Sequence, residues 1–142
     1  MSEWNPSATP NFTLDEFACQ CGCGRADMDA TFMKKLQMVR DEFGPMQISS
    51  GYRCPAHNAK VSSTGATGPH TTGKAADIRC SGHSAHRLIV LAAKNLFPGI
   101  GVSQKGSHSS RFIHLDQLEP GEANGARPWV WSVSYTHLRA HE

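Results

Sequence analysis

The sequence predicts an α+β domain: a small antiparallel sheet flanked by helices. Three observations predict it. Two stretches, Ala30–Phe43 and Ala85–Leu96, place apolar residues at helical spacing. The β-prone segments between and after them are short and bounded by Gly, Pro and Ser. Strands and helices do not alternate regularly, as a parallel α/β sheet would require. At 142 residues the chain suits one domain with a modest core.

Residues 1–11 are polar, contain Pro6 and Pro10, and read as a loosely held arm before a domain spanning 12–132. Thr13-Leu-Asp-Glu16 fits a capping box, in which the Thr13 hydroxyl and the Glu16 carboxylate each satisfy a backbone N–H, so a short helix should run through Phe17. Cys19-Gln-Cys-Gly-Cys-Gly24 reads as a tight turn with partly buried thiols. Close thiols could hold a metal, but C-x-C-x-C lacks the paired C-x-x-C knuckles of a strong zinc signature. Asp29 is placed to cap a helix whose core stripe is Phe32, Leu36, Val39 and Phe43, stopped by Gly44 and Pro45.

Met46–Ser50 then reads as a strand, Pro55–Val61 as one or two helical turns, and Ser62–Pro69 as a flexible loop. Ala75–Arg79 is a strand. Ser84 should cap the next helix, with Leu88, Leu91, Ala92 and Leu96 buried before Pro98 and Gly99 end it. Two more strands are expected near Ile100–Val102 and Arg111–Leu115, and Trp129 and Trp131 should pack on the sheet or line a cleft. The segment Val133–Glu142 resembles translated sequencing-adapter DNA. It is set aside together with His137 and His141, and the natural C-terminus is expected to be missing.

Composition narrows the function. A formal charge of +2 makes no electrostatic case for nucleic acid. No apolar run approaches the roughly 20 residues that span a bilayer, and Met1–Pro6 has neither the basic region nor the apolar core of a signal peptide. Five cysteines, an odd count, argue for reduced thiols in a protein made in a cytoplasm. A monomer is expected.

The chemistry-bearing stretches are Ser49-Ser-Gly-Tyr-Arg-Cys-Pro-Ala-His-Asn58, Gly68-Pro-His-Thr-Thr-Gly-Lys-Ala-Ala-Asp77 and Phe112-Ile-His-Leu-Asp116. A loop feeding a strand can fold His70 back beside Asp77, with Gly73 allowing the bend. Imidazole and carboxylate both suit zinc, and a set without thiolate leaves more positive charge on the metal. Spacing alone gives a His and an Asp seven apart little weight. Arg53 is the best candidate for gripping a carboxylate, by a two-pronged guanidinium fork. Ser49 and Ser50 lack a His–Asp relay nearby in sequence, so a serine nucleophile is not expected. His57 reads as structural, and His83 and His86 as solvated. Cys54 and Cys80 each follow a site element and are expected near one another.

In that order the three stretches resemble the M15 family of zinc peptidases, D-alanyl-D-alanine carboxypeptidases and murein endopeptidases, over about Asn11–Trp131. The resemblance implies Zn2+ held by His70, Asp77 and His114, with the hedgehog/D-Ala-D-Ala peptidase-like fold placing that site on the sheet. It implies hydrolysis of peptidoglycan stem peptides or cross-links, with Arg53, Tyr52 and Ser50 toward substrate. Two positions depart from the family pattern. Gly68 stands where the family has Ser, at the expense of a loop-stabilising hydroxyl, and Arg111 stands where a base is expected, and an arginine cannot serve as one at neutral pH. The catalytic candidates are then Asp116, on the same strand face as His114, and His108; Asp116 can either orient a ligand or contact the activated water. A phage or prophage product acting on the cell wall after release fits this reading. The competing class is a zinc-binding or cell-wall-binding module of the same fold without catalysis.

Overall fold

The computed structural model describes residues 3–133; all but the first residue of the set-aside terminal segment lies outside them. Four helices, α1 (Leu14–Phe17), α2 (Ala30–Phe43), α3 (Pro55–Val61) and α4 (Gly82–Lys94), accompany five strands. The strands are β1 (Gln47–Ser50), β2 (Ala75–Arg79), β3 (Gly99–Ser103), β4 (Phe112–Asp116) and β5 (Trp129–Ser132). They form one sheet in the order β1-β2-β4-β3-β5. Neighbours through β3 are antiparallel, as expected, but β5 joins the β3 edge in parallel, so the sheet is mixed.

The local signals act as their chemistry requires. Thr13 and Glu16 close the capping box on α1. The Asp29 carboxylate accepts from the Phe32 N–H at 3.0 Å, and α2 ends where Gly44 takes a positive φ of 98°. Helix α4 begins at Gly82, earlier than the Ser84 cap would place it, because the polar turn Gly82–Ser84 carries no apolar signal to read. It also ends sooner: Leu96 adopts a left-handed φ of 62° and is 78% exposed, and Phe97 takes the buried position instead.

Two layers result. Phe32, Met33, Leu36 and Val39 of α2 and Ala85, Leu88 and Ala92 of α4 pack with Ala76 and Ile78 of β2 and Ile113 and Leu115 of β4. Each fully buried large apolar side chain here contributes about 1.5–3 kcal/mol by leaving water. Period-two alternation sends the other residues of β2 and β4 to the opposite face, which carries the polar site. Among the described residues, 3–11 do not form a loose arm. Trp4 is buried, meets Phe17 edge-on at 5.4 Å, and donates its indole N–H to the Thr9 hydroxyl at 2.8 Å.

Candidate metal centre

Strands β2 and β4 pair so that Asp77 lies directly opposite His114, and both side chains leave the sheet on the face away from the helices. His70 comes from a single 3-10 turn, Pro69–Thr72, after which Gly73 at φ 76° bends the chain into β2. That turn is tied by its own hydroxyls. Thr71 Oγ1 donates to the Gly68 carbonyl at 2.6 Å and Thr72 Oγ1 to the Pro69 carbonyl at 2.7 Å. The same loop is hung on the longest helix, for the Asp29 N–H donates to the Gly73 carbonyl at 2.8 Å.

The three side chains converge on one point. His70 Nε2 and His114 Nδ1 lie 3.3 and 2.9 Å from Asp77 Oδ1. Each imidazole is oriented by a bond at its other nitrogen: His70 Nδ1–H donates to the Gly51 carbonyl at 2.7 Å, and His114 Nε2–H to Asp116 Oδ2 at 2.7 Å. With those protons so held, the inward-facing nitrogens are His70 Nε2 and His114 Nδ1; the latter carries a proton toward Asp77 in the metal-free protein and gives it up to present a lone pair to a cation. Asp116 is fixed in turn by Arg127, whose Nε and Nη2 donate to its two carboxylate oxygens at 2.8 and 2.7 Å.

The charges follow from these partners. Burial opposes ionisation of Asp77, but the two imidazoles outweigh it and hold the carboxyl below its ordinary range. Asp116 is likewise held low, by Arg127 and His114 against burial. His114 is buried, which favours the neutral ring, yet hydrogen bonds to Asp116 and Asp77 prevail and raise its pKa to about 9. Burial and the nearby Arg53 charge push His70 the other way, toward neutrality.

One atom tests whether this set fits a cation. Asp77 Oδ2 is buried without a hydrogen-bond partner among the described residues, with Arg53 Nη2 at 3.8 Å. A buried carboxylate oxygen left in that state is costly unless a cation shares it. Inward-facing imidazole nitrogens and a carboxylate, with no thiolate, are a donor set that suits zinc.

The pocket over this triad is walled by Arg53, Pro69, Phe112, Trp131 and Val133. Arg53 is buried there, with Nη1 donating to Asn58 Oδ1 at 3.0 Å, while Asn58 holds the loop through Thr64 Oγ1 at 2.8 Å and the Gly65 carbonyl. Trp131 meets the His114 ring at 5.3 Å and packs where Gly101 leaves room; a Cβ at Gly101 would lie 2.9 Å from the indole. Ser50 sits buried opposite Asp77 on β1, and Tyr52 is buried with the Arg25 guanidinium over its ring at 5.2 Å; neither lines the pocket. Asp116 lies behind the His114 ring with both oxygens engaged. His108 lies in an exposed turn, its ring 3.3 Å from Ser81 Oγ, and is not among the pocket residues. Cys54 is beside Cys21 at 3.7 Å. Burial raises the Cys80 thiol to about 11, which makes it a poor nucleophile.

Arg127 and Asn58 were not read from the sequence as site residues. Arg127 follows Asp116 by eleven positions across an irregular stretch, with no periodicity to connect them. Gly68 now has a reason. A side chain there would project onto the Thr64 side chain and lie 2.8 Å from Asn58 Nδ2, so Thr64 occupies the space and supplies a loop hydroxyl itself.

A helix-backed sheet bearing a buried His–Asp–His set beneath an open pocket has the make-up of a candidate metal centre. The chain belongs to the peptidase M15 family, whose sequence profile, described as Peptidase M15, matches residues 10–116. M15 peptidases are zinc-dependent, and His70, Asp77 and His114 are the candidate ligands here. A comparison with curated proteins returned no match.

Proposed function

We propose that the protein is a zinc-dependent hydrolase of peptide bonds in peptidoglycan stem peptides or cross-links, of the D,D-carboxypeptidase or endolysin-type endopeptidase kind. The observation that carries this reading is a buried guanidinium, Arg53, on the wall of the same pocket that holds His70, Asp77 and His114. Zinc held by such a set supplies Lewis-acid chemistry, polarising a carbonyl and acidifying water. Gly51 and Asp116 fix the two ring orientations, Asp116 acting as a positioning residue through His114. Arg53 offers a cation to a substrate carboxylate, and Phe112 and Trp131 wall the pocket beside it. Production in a cytoplasm, release to the cell wall and action as a monomer complete the reading.

A second reading, a zinc module of this fold that does not hydrolyse, draws on one observation. Among the described residues lining the pocket, Asp77 is the only carboxylate, so no second acid stands ready as general base. Incubation of the zinc-loaded protein with purified peptidoglycan and with a D-Ala-D-Ala peptide separates them. Chelator-sensitive release of D-alanine or of cross-links supports the hydrolase; tight zinc without turnover on either substrate refutes it in favour of the module.

A further inference from the structure

We propose that Cys19, Cys21, Cys23 and Cys54 form a second zinc site, closed and structural, separate from the His–Asp–His centre. The sequence shows three of these thiols in a C-x-C-x-C turn and hides the fourth, which lies 31 positions beyond Cys23. Folding brings all four sulfur atoms within 4.8 Å of one another. Cys19 and Cys21 are 3.4 Å apart, and Cys21 and Cys54 are 3.7 Å apart. A tetrahedron of thiolates about 2.3 Å from zinc has edges of about 3.8 Å, so the spacing matches a metal-centred set. A disulfide needs sulfurs about 2.05 Å apart and would use only two of the four.

The loop is built to present these atoms. Gly22 and Gly24 take positive φ of 89° and 82°, conformations that fold the turn back on itself. The Cys19 N–H donates to the Arg25 carbonyl at 2.7 Å and closes the base of the loop. The Cys54 N–H donates to Cys19 Sγ at 3.3 Å, the kind of backbone bond that supports a thiolate ligand. Cys19 is buried and Cys54 half-buried, while Cys21 and Cys23 reach the surface, which gives an ion a way in. Binding exchanges thiol protons for the ion and leaves every sulfur at its original oxidation level.

The position gives the site its purpose. Cys54 immediately precedes α3 and follows Arg53, and the Tyr52 N–H already donates to the Phe17 carbonyl at 2.9 Å. A metal clip from the Cys19–Cys23 turn to Cys54 would pin the segment that carries Arg53 to the amino-terminal part of the fold.

Metal content of protein purified without chelator tests this, and no readout depends on hydrolysis. The wild type should carry two zinc ions per chain. The double variant His70→Ala/Asp77→Ala should keep one, and its cobalt-substituted form should show thiolate-to-metal charge-transfer absorption. Cys21→Ser/Cys23→Ser should lose that absorption and one zinc. If the cysteine variant fails to fold, thiol labelling of the wild type decides: four of the five cysteines should resist reagent until a chelator is added. A His70→Ala/Asp77→Ala protein without zinc, a cobalt form without charge transfer, a disulfide found by mass, or freely reactive thiols in the zinc-loaded wild type would each overturn the proposal.

Discussion

Replacing Arg127 with Met probes the chain of contacts that aims His114. Asp116 has a side chain with no exposure, and Arg127 gives it two charge-assisted bonds at 2.8 and 2.7 Å. Removing one partner of a buried pair typically destabilises by about 3–5 kcal/mol. Here the His114 Nε2–H bond at 2.7 Å remains and softens the loss, which places it near ~3 kcal/mol. For a domain of this length that corresponds to a fall in melting temperature of roughly 10 °C. The indole of Trp131, 4.8 Å below the guanidinium, loses its cover as well. With Asp116 released, the ring of His114 is less firmly oriented, and zinc affinity at the His–Asp–His centre should drop about 10–100-fold, the usual effect of deleting a partner that orients a ligand. Thermal melts of the metal-free protein and competition against a calibrated chelator give the two numbers. Arg127→Lys keeps the charge but not the fork and should fall between wild type and Met. If Arg127→Met melts within a degree or two of wild type and holds zinc equally well, the positioning role assigned to Asp116 is wrong.

Three other outcomes follow from the geometry. His114, with a pKa raised to about 9, is an imidazolium at pH 6 in the metal-free protein, whereas His70 is shifted down and Asp77 is already ionised. Zinc entering the His–Asp–His centre at pH 6 should therefore release about one proton, measurable by calorimetry in buffers of different ionisation heat with the cysteine pair Cys21/Cys23 changed to Ser; zero release contradicts the bonding assigned to His114. The same shift stabilises the metal-free fold fully below the unfolded-state pKa near 6.5, and that contribution fades as pH rises through about 9. Arg53→Lys should lower kcat/KM for a substrate with a free carboxylate by on the order of 10-fold to 10²-fold, the loss of about 1.5–3 kcal/mol from a charge-assisted fork, with zinc content unchanged; equal loss on an amidated substrate would argue against carboxylate recognition. Gly68→Ser should destabilise by about 1–3 kcal/mol through overpacking against Thr64, and Thr64→Ala in the same chain should restore most of it in denaturant melts.

Much of the fold was legible because its signals are local. The capping box at Thr13, the Asp29 cap and the 3.6-residue stripe of α2 need no distant partner to be read. Asp77 and His114 could be named as candidates because their motifs, read by resemblance, sit on strands, where position determines face. What escaped depends on pairing at long range. Strand β5 carries Trp129 and Val130 on an exposed edge, so it lacks the buried alternation that marks a strand, and its parallel pairing with β3 is invisible in a one-dimensional pattern. The amino-terminal segment looked loose because its polar residues and prolines dominate, while its order comes from distant partners: Trp4 seated against Phe17, Glu3 bridged to Asp29 and Asn11 bonded to Gln37. Asp116 shared a strand face with His114, as alternation requires. Whether it faced solvent or a guanidinium was decided by Arg127, which no periodicity links to it.

The bond from Asp29 N–H to the Gly73 carbonyl joins the start of the longest helix to the hinge beside His70. The ligand-bearing turn thus takes part of its bearings from a rigid rod, beside the bond from Thr71 to the Gly68 carbonyl. Stretching or trimming the chain between Ser62 and Gly68 would reshape the pocket rim while leaving that tether untouched. A redesign of substrate preference there has to keep Thr64 and Gly68, because Thr64 holds Asn58 beneath Arg53 and the Gly68 carbonyl ties the His70 turn.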